Sequence, residues 1–252
     1  MANLKFTITS TDGNARTGTL ELKHGTVKTP ELMPVATRAT VRGLTLEELS
    51  TLQTQLLICN TYHLMLRPGA DVIEKIGGLH KFMNWDKPLA TDSGGFQALS
   101  LGKKITEGIG KIYPSRHDVV IPSRHNKKND TYVGTITDNG ISFQSLYDGS
   151  RSLLTPEKSI LIQKQLGADM ILAFDECTSN SDTKEYTITS LERTHRWAVR
   201  CLDVHMKQKK NQALVGIIQG GVWEDLRVDS ARYISSLPFD SFAIGGSLGK
   251  KE

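Results

Sequence analysis

The sequence predicts an α/β protein built on a parallel β-sheet, which is either closed as a barrel or open and doubly wound. Two observations carry this prediction. Short apolar segments of strand length alternate along much of the chain with amphipathic segments of helical period. Several of the apolar segments are followed directly by polar residues or glycines, a pattern typical of strand ends that meet at a common site.

The first helix and the first strands of this series are marked by local signals. Thr45 and Glu48 have the spacing of a capping box, which predicts that a helix begins there. The apolar run from Leu56 to Cys59 follows that helix and predicts a strand. The segment from Leu89 to Thr91 predicts the next strand before the chain turns polar at Asp92.

The second half of the chain repeats the same alternation. Thr155 followed by Pro156 predicts a helix N-terminus, because threonine is a good N-cap and proline is favoured at the first helical position. Gly167 predicts the end of that helix. Strands are predicted over 170–174, 214–218 and 242–244, with a helix over about 224–234.

Length and composition favour one domain over residues 1–252 with no membrane segment. The chain has 252 residues, of which 38% are hydrophobic. Its longest apolar run, Met170 to Phe174, is far shorter than the roughly 20 residues that cross a bilayer. The N-terminal residues lack the apolar stretch of a signal peptide. We therefore expect a cytoplasmic protein.

Cysteines and histidines give no sign of a metal site. Cys59, Cys177 and Cys201 are isolated and form no CxxC pair, which argues against a disulfide framework and against a cysteine-rich zinc site within these residues. The seven histidines show no metal-ligand spacing. The sequence therefore predicts no bound metal.

Residues 108–135 interrupt the alternation of strands and helices. This stretch is polar, basic and without a clear period, so we interpret it as an insertion, either with a hairpin of its own or as a disordered excursion. All of the formal net charge of +4 resides between residues 101 and 130, where three acidic residues accompany seven basic ones, namely Lys103, Lys104, Lys111, Arg116, Arg124, Lys127 and Lys128. Such a segment fits an anionic partner such as nucleic acid, and a solvated surface loop is the alternative.

The residues that follow the predicted strands are the candidate site. They are Asp92-Ser93-Gly94-Gly95-Phe96-Gln97, Asp175-Glu176-Cys177, Gln219-Gly220-Gly221 and Gly245-Gly246. In a parallel barrel these strand ends lie on one face, where carboxylates, an amide and exposed backbone N–H groups form a pocket for a small polar ligand.

Each of these residues also has a purely structural interpretation. Asp92 before Ser-Gly-Gly is a common turn former, and Asp175 is suited to capping a helix. Phe96 has the character of a core residue. His63 follows a strand and is more simply a structural histidine than a site residue, while Cys177 lacks a basic neighbour and fits a packing role.

Ordered motifs along nearly the whole chain carry a family resemblance. They are Thr29-Pro30-Glu31-Leu32-Met33-Pro34-Val35, Asn60-Thr61-Tyr62-His63-Leu64, Arg67-Pro68-Gly69, Gly77-Gly78-Leu79-His80, Phe82-Met83, Thr91-Asp92-Ser93-Gly94-Gly95-Phe96-Gln97, Tyr147-Asp148-Gly149-Ser150, Phe174-Asp175-Glu176-Cys177-Thr178, Gln219-Gly220-Gly221 and Ile244-Gly245-Gly246. By these motifs the chain resembles the tRNA-guanine transglycosylase (queuine tRNA-ribosyltransferase) family.

The resemblance implies a fold and a reaction. The fold is an irregular (β/α)8 barrel of the TIM type. The reaction exchanges guanine at the wobble position of tRNAs with a GUN anticodon for a 7-deazaguanine base, either queuine or its precursor. A carboxylate attacks the ribose and a covalent ribosyl-enzyme intermediate forms, so the configuration is retained, as in retaining glycosidases. Full-length members are usually homodimers that bind zinc.

The family's site residues match positions of this chain. Asp92 matches the aspartate that transfers a proton to or from the base, and Ser93, Gly94, Gly95 and Phe96 match the loop that follows it. Asp175 matches the carboxylate that binds the N1–H and the exocyclic amine of the purine. Gln219 and the N–H of Gly246 match the groups that bind the carbonyl oxygen. The resemblance thus assigns catalysis to Asp92 and substrate binding to all eight residues.

Three departures from the family pattern stand out. The sequence ends at Glu252, so the nucleophilic aspartate and the CxCxxC and His zinc ligands would lie beyond it, and we expect an incomplete barrel. Ser247-Leu248-Gly249-Lys250 replaces the usual Leu-Ala-Val-Gly-Glu or Leu-Ser-Gly-Gly-Glu, and the glycine at 249 favours queuine over the smaller precursor. The basic insertion is the third departure, and we expect it to contact tRNA phosphates.

Two other functions remain open from the sequence. A non-catalytic homologue could bind tRNA or pair with an active subunit, since the nucleophile is absent from the residues given. Intact Asp92, Asp175 and Gln219 favour the enzyme over this alternative. An unrelated barrel enzyme acting on a small molecule would explain the polar strand ends but not the run of motifs.

Overall fold

The computed structural model describes residues 4–103, 134–145, 147–179, 182–208 and 211–246. The first elements along the chain are β1 (Lys5–Asp12), β2 (Ala15–Leu22), β3 (Gly25–Thr29), β4 (Val35–Ala36), α1 (Leu46–Thr51), β5 (Leu57–Cys59), α2 (Thr61–Leu66), α3 (Ala70–Ile76), α4 (Leu79–Met83), β6 (Leu89–Thr91) and α5 (Gly95–Lys103). They are followed by β7 (Thr135–Thr137), β8 (Gly140–Gln144), β9 (Arg151–Leu154), α6 (Pro156–Leu166), β10 (Met170–Leu172), α7 (Lys184–Lys207), β11 (Ala213–Ile218), α8 (Glu224–Ser235) and β12 (Ser241–Ile244).

A six-stranded sheet forms the centre of the molecule. Its strands lie in the order β4, β5, β6, β10, β11 and β12, and every neighbouring pair is parallel. The predicted α/β class with a parallel sheet is therefore confirmed. Across the sheet the strands follow the order in which they occur along the chain. There is no reversal of strand order of the kind that marks the switch point of a doubly wound sheet.

Two antiparallel three-stranded sheets accompany the central one. Strands β1, β2 and β3 form a meander at the start of the chain, and β7, β8 and β9 form a second one within the connection from β6 to β10. Neither sheet was predicted. The strands of these two sheets are largely exposed or mix polar with apolar residues, so they lack the continuous apolar runs that identify the central strands.

The predicted helix caps are confirmed. Thr45 forms the capping box with Glu48, and the hydroxyl of Thr155 accepts from the N–H of Lys158 with Pro156 in the first turn. Gly167 ends α6 in the left-handed conformation, at φ of 76°. These signals are local in sequence, which is why they could be predicted without tertiary information.

One predicted strand is shorter in the structure, and one long helix was missed. β10 ends at Leu172 rather than Phe174, because the N–H of Phe174 turns to the Sγ of Cys201 on α7 instead of continuing the sheet ladder. α7 itself is 24 residues long and begins at the N-cap Thr183. Its buried Leu191, Ala198 and Leu202 follow a helical period and are the signal that could have revealed it.

Most of the predicted insertion lies outside the described residues, which resume at Gly134. The start of β7 at Thr135 coincides with the predicted end of the insertion. The basic residues from Lys104 to Lys128 and the segment from Ser247 to Glu252 likewise fall outside the described part of the chain.

Asp169, at the amino end of β10, contacts three separate segments, which carry His24, His80 and Leu89. Its Oδ1 accepts from the N–H of His24 at 3.2 Å and from the Nδ1 of the same residue at 2.6 Å. Its Oδ2 accepts from the N–H of Leu89 at 2.8 Å, and Nε2 of His80 lies 3.2 Å from this oxygen. Burial acts to raise the pKa of Asp169, but the bonds from His80, Leu89 and His24 outweigh it and lower the pKa.

Replacing Asp169 with alanine is expected to lower the free energy of unfolding by about 3 kcal/mol, because it leaves the buried N–H of Leu89 and the His24 ring without their acceptor. Since the pKa of Asp169 is lowered by folding, its contribution is complete above about pH 4 and is lost as pH falls through the lowered pKa. Urea unfolding between pH 3 and 7 measures both effects. Asp86→Ala, at an exposed position, is the control, and equal stability of the Asp169 variant and the parent would contradict the role.

Candidate functional site

The candidate site lies at the carboxyl ends of the central strands. Asp92 follows β6, Asp175 follows β10, Gln219 follows β11 and Gly246 follows β12. Because all these strands are parallel, their carboxyl ends share one edge of the sheet. The four residues line one cavity of about 190 Å³, smaller than the roughly 300–1,000 Å³ of pockets that hold drug-sized ligands. The cavity therefore fits a small ligand.

Seven of the eight predicted site residues line this cavity, namely Asp92, Ser93, Gly94, Phe96, Asp175, Gln219 and Gly246. Gly95 does not belong to the lining. A Cβ at Gly95 would lie 3.0 Å from the Phe174 ring and 3.1 Å from the carbonyl oxygen of Asp175. Its structural role is thus close packing of α5 against the end of β10.

Amide groups surround the carboxylate of Asp92. Its Oδ2 accepts from Nδ2 of Asn60 at 2.5 Å and from Nε2 of Gln97 at 2.8 Å, and its Oδ1 accepts from the N–H of Thr61 at 2.9 Å. Burial raises the pKa of Asp92, and these donors act in the opposite direction without cancelling the effect of burial. A carboxyl group with a raised pKa is suited to exchanging a proton near neutral pH.

Asp175 and Gln219 form the second polar pair of the cavity. Nε2 of Gln219 donates to Oδ2 of Asp175 at 2.6 Å, and the hydroxyl of Ser93 donates to Oδ1 at 3.3 Å. The Oε1 of Gln219 is buried and has no hydrogen-bond partner among the residues that the structure describes. Acceptors and donors therefore face the same small space, and the unpaired oxygen shows that the Gln219 amide has unused hydrogen-bonding capacity.

Two glycines bring the backbone close to this pair. A Cβ at Gly245 would lie 2.4 Å from Nε2 of Gln219, so a side chain there would displace the amide. Gly246 has φ of 103°, a conformation that other residues rarely adopt. Both glycines are thus required by the shape of the cavity at the end of β12.

The residues for which the sequence left alternatives open fall in different places. Phe96 and Cys177 line the cavity, and Cys177 is one of three free cysteines. His63 does not line it. Burial, followed by the charge of Arg38, lowers the pKa of His63, and its Nδ1 is buried with no hydrogen-bond partner in the described part of the chain.

Three contributors to the site were given no role by the sequence. Asn60 and Gln97 stand in the motifs but their contact with Asp92 depends on how β5, β6 and α5 pack. Arg227 lies on α8, and its Nη1 donates to the carbonyl oxygen of Gly245 at 2.6 Å. Nothing in the local sequence indicates these contacts, since each of them joins separate elements.

One group of metal-ligating residue types was also missed. Side-chain atoms of His24, His80 and Asp169 lie within 4.8 Å of one another, at the opposite end of β10 from the cavity. The 2.6 Å between Nδ1 of His24 and Oδ1 of Asp169 is that of a hydrogen bond, whereas two ligands of one tetrahedral zinc ion lie roughly 3.4 Å apart. The geometry is therefore that of a structural cluster.

The zinc site implied by the family resemblance does not fit the residues described here. The three cysteines occupy separate environments, in which Sγ of Cys59 contacts Sδ of Met83 and Sγ of Cys201 accepts from Phe174. Across the described ranges, the cluster around Asp169 is the sole group of three potential ligands. No helix among the described residues has both the length and the apolar character needed to cross a membrane.

Fold and site together define an α/β protein with a small, polar cavity at the carboxyl ends of parallel strands. Comparison with known proteins then gives its family. The family model described as queuine tRNA-ribosyltransferase matches residues 11–252. The chain belongs to this family, which confirms the resemblance inferred from the motifs.

Individual relatives agree with the family model. A protein of Archaeoglobus fulgidus is 44% identical over 99% of this chain and 62% of its own length. Proteins named queuine tRNA-ribosyltransferase from Herpetosiphon aurantiacus and Desulforamulus reducens are 44% and 47% identical over 99% and 94% of this chain. The chain spans 56% of the length of each of these two. It thus covers about three-fifths of the curated relatives that it matches.

Proposed function

We propose that this chain forms the base-binding part of a tRNA-guanine transglycosylase, a pentosyltransferase that exchanges guanine at the wobble position of GUN-anticodon tRNAs for a 7-deazaguanine base in queuosine modification. The observation that carries the proposal is the cavity in which the Asp175 carboxylate faces the Gln219 amide and Gly246. The family to which the chain belongs supports it.

The polar groups of the cavity match the pairing edge of guanine. The N1–H and the exocyclic amine of guanine are donors, and Asp175 supplies two acceptor oxygens. The carbonyl oxygen of guanine is an acceptor, which the amide of Gln219 and the N–H of Gly246 satisfy. On binding, the base takes over the contact with Asp175 and frees Nε2 of Gln219 to donate to the carbonyl oxygen.

In the proposed reaction Asp92 moves the proton. The base leaves as its bond to the ribose breaks, and a carboxyl group beside it can protonate the departing base and accept a proton from the incoming one. The raised pKa of Asp92 supports this role. In the family pattern the nucleophile of the covalent ribosyl intermediate is an aspartate downstream of the Gly245-Gly246 turn, and none of the residues assigned above is proposed for that role.

The remaining features of the proposal concern fold, partners and location. We place the six sequentially ordered parallel strands in an irregular (β/α)8 barrel. The proposed partners are tRNA, guanine, and queuine or its precursor. The proposed full-length form is a homodimer. We place the protein in the cytoplasm, with its tRNA substrate. The preference for queuine depends on Gly249, which lies outside the described residues.

Guanine is expected to bind the chain about 100-fold more tightly than adenine, because adenine lacks the N1–H and carries an amine where guanine has the carbonyl oxygen. Isothermal titration with each base measures the ratio. Equal affinities, or no binding of guanine, would overturn the proposal. Transfer of labelled guanine into a GUN-anticodon tRNA by the full-length protein then separates an enzyme from a homologue that only binds tRNA.

A further inference from the structure

Arg227 is a half-buried cation that contacts the backbone behind the cavity. It lies in the first turn of α8. Its Nε donates to the carbonyl oxygen of Gly221 at 2.8 Å, and its Nη1 donates to those of Ile218 at 3.2 Å and Gly245 at 2.6 Å. Every hydrogen bond described for this guanidinium goes to a backbone carbonyl, so the side chain keeps an uncompensated positive charge among the described residues.

The three carbonyls belong to the segments that carry the carbonyl-binding groups of the site. Ile218 and Gly221 flank Gln219 and Gly220 in the connection from β11 to α8, and Gly245 directly precedes Gly246 after β12. A planar guanidinium with donors in a fixed geometry can hold two such segments at one spacing, which the single nitrogen of lysine cannot. Arg227 therefore joins the loop that bears Gln219 to the loop that bears Gly246.

A second residue of α8 supports the same loop. The hydroxyl of Ser230, which lies one turn after Arg227, accepts from the N–H of Gln219 at 3.1 Å. The backbone of Gln219 is thus fixed from α8 at two points. The side-chain amide of Gln219 therefore remains available to bind a ligand in the cavity.

The guanidinium also lies close to the cavity wall. A Cβ at Gly246 would lie 2.5 Å from Nη2 of Arg227 and 3.2 Å from Oε1 of Gln219. The positive charge thus sits just behind the groups that face the carbonyl oxygen of a bound base. Electron density gathers on this oxygen as the bond from base to ribose breaks, and a fixed cation favours it.

We propose that Arg227 is a positioning residue that sets the specificity of the cavity for bases with a carbonyl oxygen, by holding Gln219 and Gly246 and by placing its charge behind them. The inference rests on the proposed function, because it takes guanine as the occupant. According to this proposal, the two sides of the cavity obtain their specificity in different ways. Asp175 binds the donor edge by direct contact, and α8 organises the side that binds the carbonyl oxygen.

The test compares guanine with 2-aminopurine, which keeps the ring system and the exocyclic amine but lacks the carbonyl oxygen and the N1–H. Replacing Arg227 with methionine is expected to weaken guanine binding about tenfold while 2-aminopurine changes less than about twofold. Arg227→Lys keeps the charge and is expected to recover part of the guanine affinity. Titration calorimetry gives all affinities, and thermal melting confirms that each variant is folded.

Arg232→Met is the matched control, because Arg232 lies on the same helix with an exposed side chain. An Arg227→Met variant that loses affinity for both bases equally would reduce the residue to a purely structural role and overturn the inference. An unchanged preference for guanine would overturn it as well. If the parent protein itself does not distinguish guanine from 2-aminopurine, the proposed function fails, and this result is separate from any effect of Arg227.

Discussion

Replacing Asp175 with alanine is expected to abolish measurable binding of guanine. The substitution removes both acceptor oxygens for the N1–H and the exocyclic amine of the base, and the two donors would be buried without partners. It also leaves Nε2 of Gln219 and the hydroxyl of Ser93 without their acceptor in the free protein. Losing one member of a buried, charge-assisted set costs about 2–5 kcal/mol, or roughly 30-fold to several thousand-fold in affinity.

Titration calorimetry with guanine on the parent and the variant measures this loss. Asp175→Asn keeps the shape of the side chain but loses the charge and one acceptor, so it is expected to bind guanine more weakly than the parent and more tightly than the alanine variant. Asp203→Ala, at an exposed position on α7, is the control. Unchanged affinity in the alanine variant would exclude Asp175 as the base-binding carboxylate.

Replacing Asp92 with asparagine is expected to slow base exchange by about 10²- to 10⁴-fold, the range over which general acid–base groups contribute. Asparagine fills the same space but cannot carry a proton to or from the base. Binding of guanine is expected to stay within a few fold of the parent, because the pairing edge is held by other residues. The assay follows labelled guanine entering a GUN-anticodon tRNA with the full-length protein.

This separation of rate from affinity is what distinguishes Asp92 from Asp175. A variant at Asp92 that loses guanine binding and exchange in parallel would show that the residue binds the base rather than moving its proton. Gln97→Glu is an informative companion, since a second carboxylate 2.8 Å from Oδ2 of Asp92 would raise its pKa further. The pH at which exchange begins to fall should then move upward.

Sequence reasoning succeeded where the signal is local. The caps at Thr45, Thr155 and Gly167 each depend on a few neighbouring residues, and each is confirmed. The strand-end residues could be grouped because parallel strands place their carboxyl ends together, and seven of the eight line one cavity. Gly95 shows the limit of that argument, since a motif does not state which of its members turns inward.

What sequence reasoning missed depends on how separate elements pack against one another. The amides of Asn60 and Gln97 reach Asp92 only after β5, β6 and α5 have packed. No signal in the sequence around Arg227 indicates its role, because its three acceptors are backbone oxygens whose positions depend on the fold. The cluster of Asp169 with His24 and His80 likewise joins residues with no recognisable spacing.

The distance along the chain between His24 and Asp169 has a consequence for synthesis on the ribosome. The two residues are 145 positions apart, so the turn between β2 and β3 emerges long before its acceptor does. At about 5–20 residues per second, roughly 7–30 seconds pass before Asp169 has been translated. During this interval the first meander must remain unaggregated on its own, although small isolated β-structures are marginally stable in water. Translation order therefore leaves the first meander without the contact between His24 and Asp169 until most of the given sequence has been made.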